Sequence, residues 1–171
     1  MTSIVLIAHN IRSCHNVGSL LRTADGMGAD NVYLTGYTPY PHNTDDKRLP
    51  HLANKIHNQI AKTALGAEQM VAITYSPDVT QIINKLKKDG YTIVALEQTN
   101  KSLPLPGYKP AKRIALIVGR EVEGIEPEVI NQADKTVFIP MYGQKESFNV
   151  VQAAAMALYH LRFTGQKYQK P

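Results

Sequence analysis

The stretch Ile114-Ala115-Leu116-Ile117-Val118-Gly119-Arg120-Glu121-Val122-Glu123-Gly124-Ile125 decides the fold. Its first five residues are apolar without interruption, and it is the most strand-like run of the chain. A strand with no polar alternate is buried on both faces, as in a parallel sheet covered by helices. A glycine-bounded loop follows, and open α/β sheets bind ligands in loops at the carboxyl ends of their strands. The loop lacks Gly-x-Gly-x-x-Gly, so it is no dinucleotide fingerprint. No Gly-Lys-Ser/Thr follows, so it is no Walker loop. Glu121 and Glu123 make it a poor cradle for an anion. It reads either as a strand-to-helix turn with solvated acids, or as a loop in which one acid meets an arginine.

Working outward, short β-rich apolar runs recur at Ile4–Ala8, Asn31–Thr35, Val71–Tyr75, Thr92–Leu96 and Thr136–Ile139. Helical patterns lie between them at Asn16–Met27, Pro50–Leu65, Pro77–Asp89, Pro127–Ala133 and Asn149–Phe163. This alternation predicts an α/β fold with a mainly parallel sheet flanked by helices. Gly28 and Gly90 are expected to end the first and third helices, and Pro77 and Pro127 to sit in first turns. Gly36–Pro50 is a long polar loop, of a length that is functional or mobile in a compact domain. Asn100–Pro110 is a second Pro/Gly-rich linker.

The chain has 171 residues, one cysteine and a net charge of +5. That length predicts a single domain over residues 1–171, with residues 165–171 as a flexible basic tail. Cys14 alone excludes an internal disulfide framework and suits a reducing, cytoplasmic setting. No apolar run approaches the roughly 18–20 residues of a membrane span, and Met1–Ile7 reads as a first strand, not a signal peptide. The positive charge is uneven. Lys47, Arg48, Lys55 and Lys62 alternate with His51 and His57, and Lys167 and Lys170 lie near the C-terminus. A patch of this kind is the footprint of phosphate-backbone binding, although a solvated surface with a lysine excess reads the same way.

Two further clusters carry polar chemistry. Asn16-Val17-Gly18-Ser19-Leu20-Leu21-Arg22 opens the first helix, with Asn16 and Arg22 about 240° apart around its axis. Asn16 is expected to cap the helix while Arg22 projects from it. Ile139-Pro140-Met141-Tyr142-Gly143-Gln144-Lys145-Glu146-Ser147-Phe148-Asn149-Val150 joins a strand to a helix containing Ala153, Ala154, Ala155 and Ala157. Ser147 and Asn149 suit either a helix cap or a ligand loop, and the alanine face suits either the core or a subunit interface. His9, Cys14 and His15 lack a second ligand pair at metal spacing, so no metal is expected. Tyr37, Tyr40 and Tyr142 are candidates for stacking on bases.

The three clusters, in this order, resemble the motifs of the SpoU/TrmH branch of the SPOUT RNA methyltransferases. Asn16-x-Gly18-x-x-x-Arg22 resembles the first motif and Gly119-x-Glu121-x-x-Gly124-Ile125 the second. Ile139-Pro140-Met141 with Ser147-Phe148-Asn149-Val150 resembles the third, and Val94-Ala95-Leu96-Glu97 ends a strand as in that family. The resemblance runs from about Ile4 to Leu161. It implies transfer of a methyl group from S-adenosyl-L-methionine to a ribose 2′-hydroxyl of RNA. It also implies a C-terminal deep trefoil knot and a homodimer with the active site near the subunit interface. The chain departs from the family pattern at Phe148, Val151 and Arg120, and it reads as a bare catalytic domain beside relatives that carry helical or RNA-binding extensions.

The resemblance implies Arg22 as the key catalytic residue. Its role is either general base or a guanidinium that binds the flanking phosphate and stabilises the developing alkoxide. Arginine stays protonated in nearly all protein settings, which makes the second the easier physical account. Asn16 is expected to position Arg22 or the phosphate, Glu121 to hold the arginine fork or order the loops, and Ser147 and Asn149 to shape the site. Backbone groups at Leu96, Gly119, Ile139 and Phe148 are expected to meet the cofactor, with Met141 covering it. The expected substrate is tRNA ahead of rRNA. A non-catalytic RNA-binding or assembly factor, which has no need of the full residue set, and a small-molecule methyltransferase are the readings from other classes.

Overall fold

A computed structural model describes residues 2–44 and 46–165. The expected basic tail therefore lies almost wholly outside the described residues. Seven strands form one sheet: β1 (Ser3–His9), β2 (Asn31–Thr35), β3 (Ile73–Ser76), β4 (Thr92–Leu96), β5 (Leu103–Pro104), β6 (Arg113–Val118) and β7 (Lys135–Phe138). Their order is β3-β2-β1-β6-β4-β7-β5, and every pairing is parallel. The central pair runs in register from Ser3 opposite Arg113 to Ala8 opposite Val118.

The helices are α1 (Cys14–Gly26), α2 (Pro50–Ala64), α3 (Ala67–Met70), α4 (Val79–Lys88), α5 (Pro127–Ile130) and α6 (Val150–Phe163). They cover both faces of the sheet, which is why its central strands are apolar throughout. Ile4, Leu6 and Ala8 pack on one side with Leu20 and Leu21 of α1, Ile60 of α2 and Leu158 of α6. Val5 and Ile7 pack on the other with Ile82, Ile83 and Leu86 of α4 and Val129 of α5.

Local chemistry explains most boundaries, and four of them correct the sequence reading. Ser13, not Asn16, caps α1, its hydroxyl accepting the Asn16 N–H at 3.2 Å. Asn16 therefore stands inside the first turn, and its side chain is left for other work. Asp78 caps α4, so Pro77 lies outside the helix it was expected to open. Residues 67–70 form the short α3, so β3 starts at Ile73, two residues later than expected. The predicted 127–133 helix closes after one turn at Ile130. Gly28 and Gly90 do follow their helices with φ of 64° and 78°, where a side chain would be strained. The 100–110 linker is anchored, since it contains β5 and buries Leu105 and Tyr108 in the core.

Two contacts fix how the helices sit. Gly18 of α1 faces the backbone of α2, and a Cβ there would overlap the Ile60 carbonyl and the Thr63 hydroxyl. Thr63 seals the crossing by donating to the His15 carbonyl at 2.8 Å. At the other end Arg162 of α6, 8% exposed, donates to the carbonyls of Thr2, Met27 (2.9 Å) and Gly28 (2.6 Å). It joins α6 to the end of α1 and the start of β1.

Candidate active site

The carboxyl ends of β6, β4 and β7 stand side by side although they are far apart in sequence. The loops leaving them enclose an open cavity of about 200 Å³. Leu96, Gly119 and Ile139 meet it at the strand ends, Glu121 from the glycine-bounded loop, and Met141, Ser147 and Phe148 from the long loop before α6. Two of the three motif segments, with the end of β4, thus line one site. Asn149 stands at its edge as the cap of α6, accepting the Val151 N–H at 2.9 Å, and the helix it opens supplies Val150 and Ala153 to the wall.

The first motif reaches the site by one side chain only. Asn16 Nδ2 donates to Glu121 Oε1 at 2.8 Å, tying α1 to the glycine-bounded loop. Arg22 does not join it. It is exposed on α1, outside the cavity lining, and makes no hydrogen bond or ion pair among the described residues. The expected Glu121–Arg22 fork is therefore absent within one chain, and Asn16 holds Glu121 in its place.

The glycine-bounded loop is a tight reversal. Arg120 and Gly124 exchange backbone hydrogen bonds at 3.2 Å each, and Gly124 has a φ of 69°. A Cβ on Gly119 would stand 2.6 Å from Ile125 and 2.8 Å from the Gly124 carbonyl. Gly119 is thus required by the packing of its own loop, before any ligand is considered. Glu97, at the end of β4, completes the turn. Its carboxylate accepts the N–H groups of Ile125 at 2.8 Å and Gln98 at 3.0 Å, and a Cβ on Gly124 would overlap it.

A second network supports the loop from behind. Asn10, in the left-handed region at φ 57°, donates to Glu126 Oε1 at 2.7 Å and accepts the Tyr37 N–H at 3.1 Å. His9 bonds Thr35 at 2.9 Å and faces Glu126 at 3.3 Å, and Arg120 approaches the same carboxylate at 3.6 Å. Burial pushes the His9 pKa below its ordinary value, against the pull of Glu126. Burial pushes Glu126 up, but its backbone hydrogen bond, Asn10, His9 and Arg120 together bring it below the usual carboxylate range. Sequence reading missed Glu97, Asn10 and Glu126 as site supports. The polar residues directly after two buried strands, Asn10 after β1 and Glu97 at the end of β4, were the available signal.

Glu97, Glu121, Glu123 and Glu146 line the cavity against one cation, Arg120. With Leu96, Ile139, Met141 and Phe148 as apolar wall, this lining suits an organic ligand that carries positive charge. S-adenosyl-L-methionine is such a ligand, and the backbone at the ends of β4, β6 and β7 supplies directional partners for its polar groups.

Outside the cavity, Lys47, His51, Lys55 and Lys62 are exposed as a phosphate-binding patch requires. Arg48 is not available to it. Its guanidinium pairs with Asp46, donates to the Tyr40 and Pro41 carbonyls, and lies 3.6 Å from the centre of the Tyr40 ring. Among the described residues, no helix is long and apolar enough to cross a membrane.

Comparison with known proteins accords with this geometry. The model of the SpoU rRNA Methylase family matches residues 3–159. A tRNA (guanosine(18)-2′-O)-methyltransferase of Aquifex aeolicus is 30% identical over 156 residues, 91% of this chain and 67% of that protein. The crystal structure of an A. aeolicus TrmH/SpoU tRNA modifying enzyme has a TM-score of 0.77 at 26% identity, covering 95% of this chain and 75% of that one. An AdoMet-bound rRNA methyltransferase from Sinorhizobium meliloti shares the fold, with a TM-score of 0.77 at 20% identity over 96% of this chain and 57% of that one. The chain spans 57–67% of the length of the first curated relatives it matches. With nearly its whole length matched and the motif segments gathered around one cavity, the chain belongs to the SpoU rRNA methylase family.

Proposed function

We propose that this chain transfers a methyl group from S-adenosyl-L-methionine to a ribose 2′-hydroxyl of RNA, with tRNA as the substrate class ahead of rRNA. The observation that carries the reading is the cavity at the ends of β4, β6 and β7, acidic and partly apolar, formed by the second and third motif segments. When bound there, the cofactor supplies an electrophilic methyl on a sulfonium, whose departure needs little help. The protein's task is to align the ribose oxygen and manage one proton. Leu96, Gly119, Ile139 and Phe148 offer backbone partners, and Met141 covers the apolar part. Glu121, held by Asn16, keeps the glycine-bounded loop in place, and Ser147 and Asn149 shape the loop that closes the site.

Arg22 is the residue we assign to the ribose oxygen and its flanking phosphate, as a bidentate cation that stabilises developing negative charge. Its position outside the cavity of its own chain supports a homodimer in which the site is completed between subunits. An exposed stripe on α6 supports the same assembly, with Met156 37% and Tyr159 60% exposed beside Ala155 and Gln152. A trefoil knot fits the strand order, because the chain passes from β4 out to β5, back to β6, and then inserts β7 between β4 and β5. The chain is read as one such domain, working in the cytoplasm.

The test is incubation with methyl-labelled cofactor and separate pools of unmodified tRNA and rRNA, followed by nuclease digestion and mass spectrometry. Label on a ribose of tRNA is expected. Label on a base, or no transfer by protein that binds the cofactor, overturns the reading.

A further inference from the structure

A second cavity of about 200 Å³ lies at the far edge of the sheet, away from the methyl-transfer site. Its apolar part is built by β3 and by Val71, two residues before it. Ile73 and Tyr75 alternate along the strand and so share one face, with Val71 beside them in the lining. Tyr40 stacks on Tyr75 with ring centres 4.0 Å apart. The polar rim is His42, Asn43 and Glu68.

Described side chains beside the cavity are held in place by their own partners. The Arg48 guanidinium covers the other face of Tyr40 and is itself fixed by Asp46 and two carbonyls. That contact holds the Asp46 carboxyl well below the usual carboxylate range. The Tyr75 hydroxyl donates to the Gly36 carbonyl at 2.9 Å, so this ring is also fixed in orientation. Both faces of Tyr40 are thereby taken, and the outer face of Tyr75, 36% exposed, is left for a base to stack on. Exposed Lys47 and His51 lie on the adjoining chain, where a phosphate backbone would pass.

We propose that this cavity takes a guanine base of the bound RNA, at a position away from the methylated ribose. The proposal rests on the reading of the chain as an RNA-binding enzyme. Glu68 selects the base. One carboxylate oxygen accepts the Gly66 N–H at 3.0 Å, which orients the group. A carboxylate so held matches two adjacent N–H donors, and among the four bases only guanine presents that pair, at N1 and N2. β3 lies three to five strands from β6, β4 and β7, about 14–24 Å at the usual spacing, a distance that a few nucleotides of one strand can span.

The test uses labelled RNA heptamers, UUUGUUU, UUUIUUU (with inosine) and UUUUUUU, with fluorescence anisotropy on the wild type, Glu68→Gln and Tyr75→Leu. The wild type is expected to bind the guanine heptamer about 10-fold more tightly than oligouridine, with inosine between them. Glu68→Gln should abolish that preference and leave oligouridine affinity within about twofold. Tyr75→Leu should weaken the guanine and inosine heptamers together. Equal wild-type affinity for all three, or a parallel loss for all three in Glu68→Gln, overturns the proposal. Methyl transfer to bulk RNA, measured on the same preparations, separates the two readings. Activity without base preference removes the guanine site alone, while RNA binding with base preference but no transfer removes the enzymatic reading alone.

Discussion

Arg162 is a buried cation with three carbonyl partners and no carboxylate among those hydrogen bonds, and Arg162→Met tests whether it holds α6 in place. Hydrogen bonds from a charged donor contribute about 1.5–3 kcal/mol each, so three would sum to about 4.5–9 kcal/mol. Two effects reduce this. Methionine removes the desolvation cost of the guanidinium, and at 8% exposure water can reach part of the vacated space. The lost partners of Thr2, Met27 and Gly28 leave a net cost of about 3 kcal/mol. For a chain of this size that lowers Tm by about 6–12 °C. Arg162→Lys keeps the charge but not the planar fork, and should lose about half as much. Circular dichroism at 222 nm during heating and during urea titration gives both values. A loss below about 0.5 kcal/mol for Arg162→Met would show that α6 is held by its apolar face alone.

Arg22→Lys should reduce turnover about 100-fold with cofactor affinity unchanged, and full turnover in single-turnover assays removes Arg22 from the chemistry. Gly119→Val should destabilise the fold by about 1–3 kcal/mol and weaken cofactor binding, because its side chain meets Ile125 and Gly124; unchanged affinity by calorimetric titration would refute that. His9 has a depressed pKa in the fold, so the stability it contributes is complete above about pH 6.5 and is lost as pH falls through the folded value. Urea midpoints of the wild type should fall over that range while those of His9→Gln stay flatter, and parallel curves would discount His9; Glu126 acts separately, below the ordinary carboxylate pKa. Replacing Lys55 and Lys62 by alanine should lower the salt dependence of RNA binding by one to two phosphate contacts, and an unchanged slope would exclude the α2 patch.

Much of the architecture was readable because burial leaves a local imprint. The run Ile114–Val118 is apolar on both faces since helices cover both faces, and Asn31–Thr35 and Thr92–Leu96 match their strands residue for residue. The site is another matter. It exists because β6, β4 and β7 are neighbours, and no period or spacing within one strand specifies which strand lies beside it. Resemblance, not periodicity, grouped Gly119 with Ile139 and Ser147. Asn16 shows the same limit at a single residue. Its amide looked like a cap, but Ser13 had already taken that place, and its partner Glu121 stands 105 residues away. Arg48 counted as a surface cation by composition, while Asp46 and Tyr40 withdraw it from the surface.

The Gly18 crossing has a mechanical consequence. Backbone meets backbone there with only the Thr63 hydroxyl beside the contact, so α1 and α2 have almost no compressible layer through which to slide. Lys55 and Lys62 ride on α2, and Asn16 and Arg22 ride on α1. If RNA is bound by these lysines as proposed, a pull on them would move the arginine and the Glu121 tether as one lever, with α1 as its arm. Substrate grip and loop position would then be linked stiffly, with the smallest residue in the first motif as the pivot.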